Sequence, residues 1–311
     1  MRNISVFTEM RKQGRFYNTG VYAFFLFSLS FLFFSCNSSS SGKQQYEPTF
    51  SLDSSGKKNL IFGVPNLSSY QDCDLLVKYL NKNLNNVLVR IEASTDVNDY
   101  QDKIKKNEFD MIIINGPLLL EAEQNGYSIV AKMGDDDKYK SVIFVRNDSA
   151  INSISDLKGK TVATSGPPAL AGTMMPLLFL YKNGLNINTD IKRLYAPSFE
   201  STIMNVYLGK CSAGASKKAS VVNIFKQRPE IASRLSIKWE TPPLINSAFM
   251  IKNNMDKEML DALTKLILTL QNNEEGKKAL IPLDVSRFEK ANTDTYKSLK
   301  EFLKEYNAAI Q

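Results

Sequence analysis

Apolar runs of strand length alternate with amphipathic helical stripes along most of this chain of 311 residues, and that alternation limits the possible folds more than any other feature. Asn59 to Val64 reads as a buried strand stopped by Pro65-Asn66, followed by a polar turn from Leu67 to Gln71. Asp72 to Leu84 then carries Leu75, Leu76, Tyr79, Leu80 and Leu84 on one helical stripe, and Val87 to Ile91 is the next strand. Thr95 or Asp96 caps a helix to about Lys106, and Phe109 to Ile114 is a strongly apolar strand. It ends in Asn115-Gly116-Pro117, where Pro117 suits the first turn of a helix running to Gln124. Tyr127 to Met133 and Tyr139 to Arg146 are two more strands. The acidic turn Gly134 to Asp137 between them reads as a solvated hairpin tip, because the spacing and later Glu of a calcium loop are missing.

The most informative stretch runs from Lys158 to Tyr181. A short helix from Ser153 closes at Gly159, a strand covers Thr161 to Thr164, and a loop of Ser, Gly and Pro leads to a helix starting near Gly172 and ended by Gly184. Such a junction aims free backbone N–H groups and the positive end of a helix dipole at one spot, which suits an anionic group without any side chain. The same grammar continues with strands at Ile191 to Ala196, Cys211 to Ala215, Ile237 to Glu240 and Ser247 to Lys252. Helices cover Ser198 to Tyr207 and Lys217 to Gln227, with Ser198 and Ser216 as N-caps. Amphipathic helices at Asp256 to Leu270, Glu274 to Leu280 and Thr293 to Ala308 complete the chain. Doubly wound α/β layers follow, with ligands expected off the carboxyl ends of the strands. The length after residue 58 suits two lobes, crossing at Tyr139 to Arg146 and Leu244 to Lys252.

The N-terminus is a targeting segment in pattern. Arg2, Arg11, Lys12 and Arg15 precede an apolar run from Val21 to Phe34 that is short for a membrane span, so residues 1–35 read as a signal peptide. Ser35-Cys36 then resembles the lipobox of bacterial lipoproteins, with Cys36 the lipidated residue and 36–58, rich in Ser and Gln, a flexible tether. Removing 1–35 takes away four basic side chains and one acid, so the formal charge falls from +7 to +4. The remaining lysine pairs are scattered and lack interleaved aromatics, which argues against nucleic acid. The chain has no His and no CxxC, which removes most zinc and imidazole chemistry; no metal or cofactor is expected. For Cys73 and Cys211, a disulfide and two separate buried thiols are both compatible with the sequence.

Several segments in this order are similar to one known family. They are Leu60 to Pro65, Asn115-Gly116-Pro117-Leu118, Tyr139 to Arg146, Ile154 to Thr161, Gly172 to Pro176, Gly209-Lys210 with Ala213-Gly214-Ala215, and Trp239 to Pro243. Together they resemble the phosphate/phosphite/phosphonate substrate-binding proteins of ABC transporters, from Leu60 to about Leu270. The resemblance implies a two-lobed periplasmic binding fold of type II kind, with doubly wound lobes and a two-strand hinge, that closes on a small ligand. It places lobe 1 at 59–141 plus 247–311 and lobe 2 at 142–246. It implies ligand contacts at Asn115 and Gly116, Ser141 at the hinge, Ala171, Gly172 and Thr173, and Ser198 with Glu200. The chain departs from the family pattern where Ser-Thr-Ser-Gly becomes Ala169-Leu170-Ala171-Gly172. It departs again with Val97 for a Tyr, Leu120 near an aromatic position, Phe199 for a His, and Ser212 for an acid.

These features imply a monomeric, lipid-anchored, extracytoplasmic solute-binding protein that hands its ligand to an ABC permease. The alternative is a sensor or scaffold lipoprotein with a degenerate cleft. An enzyme is not expected, because the chain lacks His, a nucleophile elbow and a clustered carboxylate pair.

Overall fold

A computed structural model describes residues 56–310; residues 1–35, expected from sequence to be a signal peptide, Cys36 and most of the expected tether at 36–58 lie outside the described residues. Eleven strands and ten α-helices follow one another in chain order among the described residues. The first part comprises β1 (Lys58–Val64), α1 (Leu67–Asn83), β2 (Val87–Ala93), α2 (Val97–Lys105), β3 (Met111–Ile114), α3 (Pro117–Gln124) and β4 (Tyr127–Met133). The middle comprises β5 (Ser141–Arg146), β6 (Thr161–Thr164), α4 (Met175–Lys182), β7 (Lys192–Tyr195), α5 (Phe199–Tyr207), β8 (Ala213–Lys217), α6 (Lys218–Gln227), α7 (Pro229–Ala232) and β9 (Leu235–Glu240). The chain ends with β10 (Ala248–Lys252), α8 (Lys257–Leu268), α9 (Glu274–Leu280), β11 (Phe288–Lys290) and α10 (Lys297–Ile310).

Two mixed sheets result. The first has the order β11-β4-β10-β3-β1-β2 and the second β7-β6-β8-β5-β9. In the first, β1 pairs in parallel with β2 and β3, while β10 runs antiparallel between β3 and β4. In the second, β6 is parallel to β7 and β8, while β5 runs antiparallel between β8 and β9. Each sheet therefore contains one antiparallel strand that arrives from the other sheet, β5 after β4 and β10 after β9. The inner parallel strands carry buried runs, Leu60, Phe62 and Val64 in β1 and Val162 to Thr164 in β6, as strands covered on both faces require, whereas the edge strand β7 is largely exposed. One apolar cluster extends from Ile112 and Ile114 of the first sheet through Tyr139 and Ile143 to Leu177 and Leu180 of α4. β10 and β11 lie in the first sheet, whereas α10, assigned to that lobe from sequence, contacts α4 of the second. Lys182 and Glu305 pair at 2.7 Å, and Asn188 donates to the Ile310 carbonyl.

The acidic turn is not a hairpin tip, because β4 and β5 do not pair; residues 134–140 are a crossing between sheets. Asp135, in a left-handed conformation, accepts from the amide and hydroxyl of Ser286 at 2.8 and 2.7 Å and pairs with Lys138 and Arg287. Asp136 accepts from the amide of Asn246 at 2.9 Å, and Asn246 Nδ2 donates to the Gly134 carbonyl at 2.9 Å, so the two crossings are bonded to each other. Buried Lys132 anchors the same corner between Asp136 at 2.9 Å and Glu289 at 2.8 Å.

Other boundaries differ for local reasons. α1 starts at Leu67 because Asn66 caps it, accepting from the Ser69 amide at 3.0 Å, where the sequence reading had a turn. Ser216 is not an N-cap: β8 continues through it to Lys217, and α6 begins without a side-chain cap. β11 is three residues long and has no alternation to announce it. Cys73 and Cys211 are free and buried in different apolar clusters, so no disulfide joins them.

Candidate functional site

In the second lobe, β6 delivers Thr164 and Ser165 to a loop that enters a π-helical turn at Leu170–Met174, and α4 continues with Pro176 in its first turn. The loop is held by its own helix. Thr173 is fully buried, and its hydroxyl lies 2.8 Å from the Ser165 carbonyl and 3.0 Å from that of Gly166; the Ser165 amide donates to the Gly172 carbonyl at 3.1 Å. Thr173 thus faces the loop carbonyls. Gly172 has no room for a side chain, since a Cβ there would lie 2.4 Å from Ser165 Oγ and 3.0 Å from Phe199 Cε1. The amides of Leu170, Ala171 and Gly172 precede the first intrahelical bond and have no acceptor among the described residues. Beside them, the Ser165 hydroxyl is buried without a hydrogen-bond partner.

In the first lobe, β3 ends at Ile114 and Gly116 takes φ 69° and ψ −152°, a backbone region essentially reserved for glycine. This turn lets Pro117 open α3. Asn115 donates to the Ile245 carbonyl at 2.9 Å, and its Oδ1 accepts from the Gly116 amide at 2.7 Å. The side-chain amide of Asn115 and the amide of Gly116 are therefore occupied within the protein, one by the second crossing and one by Asn115 itself. A Cβ on Gly116 would sit 3.2 Å from the Leu170 side chain, so the two junctions meet and the lobes are closed against each other.

The crossing supplies the side walls. Ser141 is buried; its amide donates to Thr241 Oγ1 at 3.0 Å and its hydroxyl to the Ala171 carbonyl at 2.5 Å. Tyr139 is buried with its hydroxyl bonded to Asn115, and burial pushes that phenol well above its usual range. Lys217 lies over the Tyr139 ring, with Nζ 5.5 Å from the centroid. Asn115, Gly116, Ser141, Ala171, Gly172 and Thr173 thus come together at one place. Ser198 and Glu200 lie further out. Ser198 is exposed and accepts from the Ser201 amide at 3.0 Å as the N-cap of α5, and Glu200 faces Arg228 at 3.3 Å. Sequence reasoning missed Ser165, Tyr139 and Lys217. The first two lie inside stretches already noted, but neither has a local pattern marking it as part of a site.

Two open concavities lie elsewhere. One is at the crossing between Lys132, Asp136, Leu244 and Ser298, and the other is among Arg146, Asp156, Lys160 and Gly209 of the second lobe.

A closed pair of α/β lobes, joined by two crossings and with helix N-termini at the seam, defines the class as a two-lobed periplasmic binding protein. A family model described as ABC transporter, phosphonate, periplasmic substrate-binding protein matches residues 67–296, and the chain belongs to that family. Among curated relatives, it is 27% identical to the probable ABC transporter phosphite binding protein PhnD1 of Prochlorococcus marinus, over 65% of this chain and 73% of that protein. It is 22% identical to the phosphonates-binding periplasmic protein of Escherichia coli, over 50% of this chain and 47% of that one. The crystal structure of the Prochlorococcus protein in complex with methylphosphonate superposes with a TM-score of 0.72 at 23% identity, covering 80% of this chain and 98% of that one. A binding component of a Pseudomonas aeruginosa phosphonate transporter gives 0.72 at 18% identity, covering 82% and 89%. The chain is thus a binding component of an ABC transporter working outside the cytoplasm, not an enzyme.

Proposed function

We propose that this protein captures a small anionic solute, phosphonate-like in its charged end, between the two lobes and delivers it to an ABC permease. The observation that carries this reading is the row of unpaired amides at Leu170, Ala171 and Gly172, beside the unpartnered hydroxyl of Ser165 and facing Gly116 across the seam. A helix N-terminus with free N–H groups stabilises an oxyanion through both hydrogen bonds and the dipole. The relatives that bind phosphite and phosphonates support the same ligand class. Ser165 Oγ could take up part of the role left open where the family's Ser-Thr-Ser becomes Ala169-Leu170-Ala171. In this reading 59–141 and most of 247–311 form one lobe and 142–246 the other. The protein acts as a monomer, and Cys36 carries a lipid that holds it at the membrane.

Calorimetric titration of the full chain with phosphate, phosphite and methylphosphonate tests the ligand. Binding of at least one is expected, and no heat and no thermal shift with any of the three overturns the reading. Metabolic labelling with an alkyne fatty acid tests the anchor, with incorporation expected in the wild type and lost in Cys36→Ser. A second reading, a ligand-degenerate sensor or scaffold, is favoured by one observation: Leu170 occupies the seam opposite Gly116.

A further inference from the structure

Lys217 is the last residue of β8, placed directly opposite Ser141 in the β5–β8 register. Ser141 holds the Ala171 carbonyl at 2.5 Å, so Lys217 belongs to the same end of the second sheet as the unpaired amides. Its Nζ lies 5.5 Å from the centroid of the Tyr139 ring, and the hydroxyl of that ring bonds to Asn115 of the first lobe. The half-buried ammonium therefore sits where the crossing, the first lobe and the second lobe meet.

Its pairing is unlike that of its neighbours. Lys218 pairs with Glu240 at 2.6 Å and Lys140 with the same carboxylate at 2.8 Å. Lys217 has no carboxylate within ion-pair distance and no hydrogen-bond acceptor among the described residues. Asp284 and Asp72, both exposed on the first lobe, face it from further away. Burial pushes the Lys217 ammonium below its usual range, and the two aspartates only partly offset that. An ammonium taken out of water without a partner opposes folding, and an anion brought to it relieves the cost.

We propose that Lys217 binds a second negatively charged group of the ligand, so that the protein selects a small solute anionic at both ends. One end lies on the amides of Leu170 to Gly172 and the other on the Lys217 ammonium. This inference rests on the anion-capture reading above and adds the charge of the distal group.

The test uses three phosphonates that differ in the group on the carbon bonded to phosphorus: methylphosphonate (hydrogen, uncharged), phosphonoacetate (carboxylate, negative) and aminomethylphosphonate (ammonium, positive). Affinities are measured by calorimetry on the full chain, wild type and with Lys217→Met and Lys217→Arg, with thermal melts as a check on folding. In the wild type, phosphonoacetate is expected to bind at least about tenfold more tightly than methylphosphonate, with aminomethylphosphonate the weakest. Lys217→Met is expected to lose that preference, the three affinities falling within about threefold of one another with the melting temperature kept; Lys217→Arg retains the preference. Equal affinities of the three in the wild type overturn the role of Lys217 and leave anion capture standing. So does a preference that survives in Lys217→Met. Failure of all three to bind the wild type overturns both readings.

Discussion

The hydroxyl of Ser141 donates to the carbonyl of Ala171 at 2.5 Å, joining the crossing to the π-helical turn of the second lobe across 30 positions of chain. Both groups are buried, so the bond has no competition from water. Ser141→Ala leaves the carbonyl without this donor and is expected to cost about 1–3 kcal/mol. Chemical denaturation of wild type and variant checks the value, and an unchanged midpoint would show that the turn finds another donor.

Gly116→Ala places a methyl group 3.2 Å from the Leu170 side chain on a backbone that other residues avoid. The strain of about 1–3 kcal/mol lowers the melting temperature. The contact with Leu170 exists only when the lobes are closed, so the radius of gyration from small-angle scattering is expected to exceed that of the wild type. An identical scattering profile would show that the seam tolerates the methyl.

At the crossing, the hydrogen bond from Lys132 holds Glu289 below the usual carboxylate range. A carboxyl whose folded value is depressed contributes stability that is present above its unfolded value and lost as the pH falls through the folded one. The thermal midpoint of the wild type is therefore expected to drop on acidification below the ordinary carboxylate range, and less so in Glu289→Gln. Lys132→Met leaves Asp136 and Glu289 without their shared cation; because both are partly solvated, about 1–2 kcal/mol is expected at neutral pH. Urea titrations across pH measure both effects.

Ser198 caps α5 through the Ser201 amide. Ser198→Ala is expected to cost about 1 kcal/mol and to leave phosphonate affinity within twofold if capping is its only role. A larger loss of affinity with the same stability loss would make it a ligand contact.

Burial pushes the Cys73 thiol up to about 12, with the nearby Asp72 carboxylate adding to the shift. Cys73 is free, as is Cys211. Iodoacetamide at neutral pH is expected to leave Cys73 unmodified in the native protein and to label it after denaturation, as peptide mapping would show. A reductant should leave the melting temperature unchanged.

The alternation of strands and helices determined the fold class, because a buried strand and an amphipathic helix each impose their own periodicity on neighbouring residues. Pro117 after Asn115-Gly116 and the loop before Gly172 were legible as helix entries for the same local reason, and Ser198 as a cap. Only the tertiary structure decided which strand lies beside which. β4 pairs with β10 and β11, more than 100 positions away, so the Asp135 turn became a crossing where local sequence suggested a hairpin. Register likewise carried β8 through Ser216 and set Lys217 opposite Ser141. Whether a side chain is paired or alone depends on neighbours brought together by long-range packing. Lys217 and Lys218 are identical and adjacent in sequence, yet only Lys218 meets Glu240.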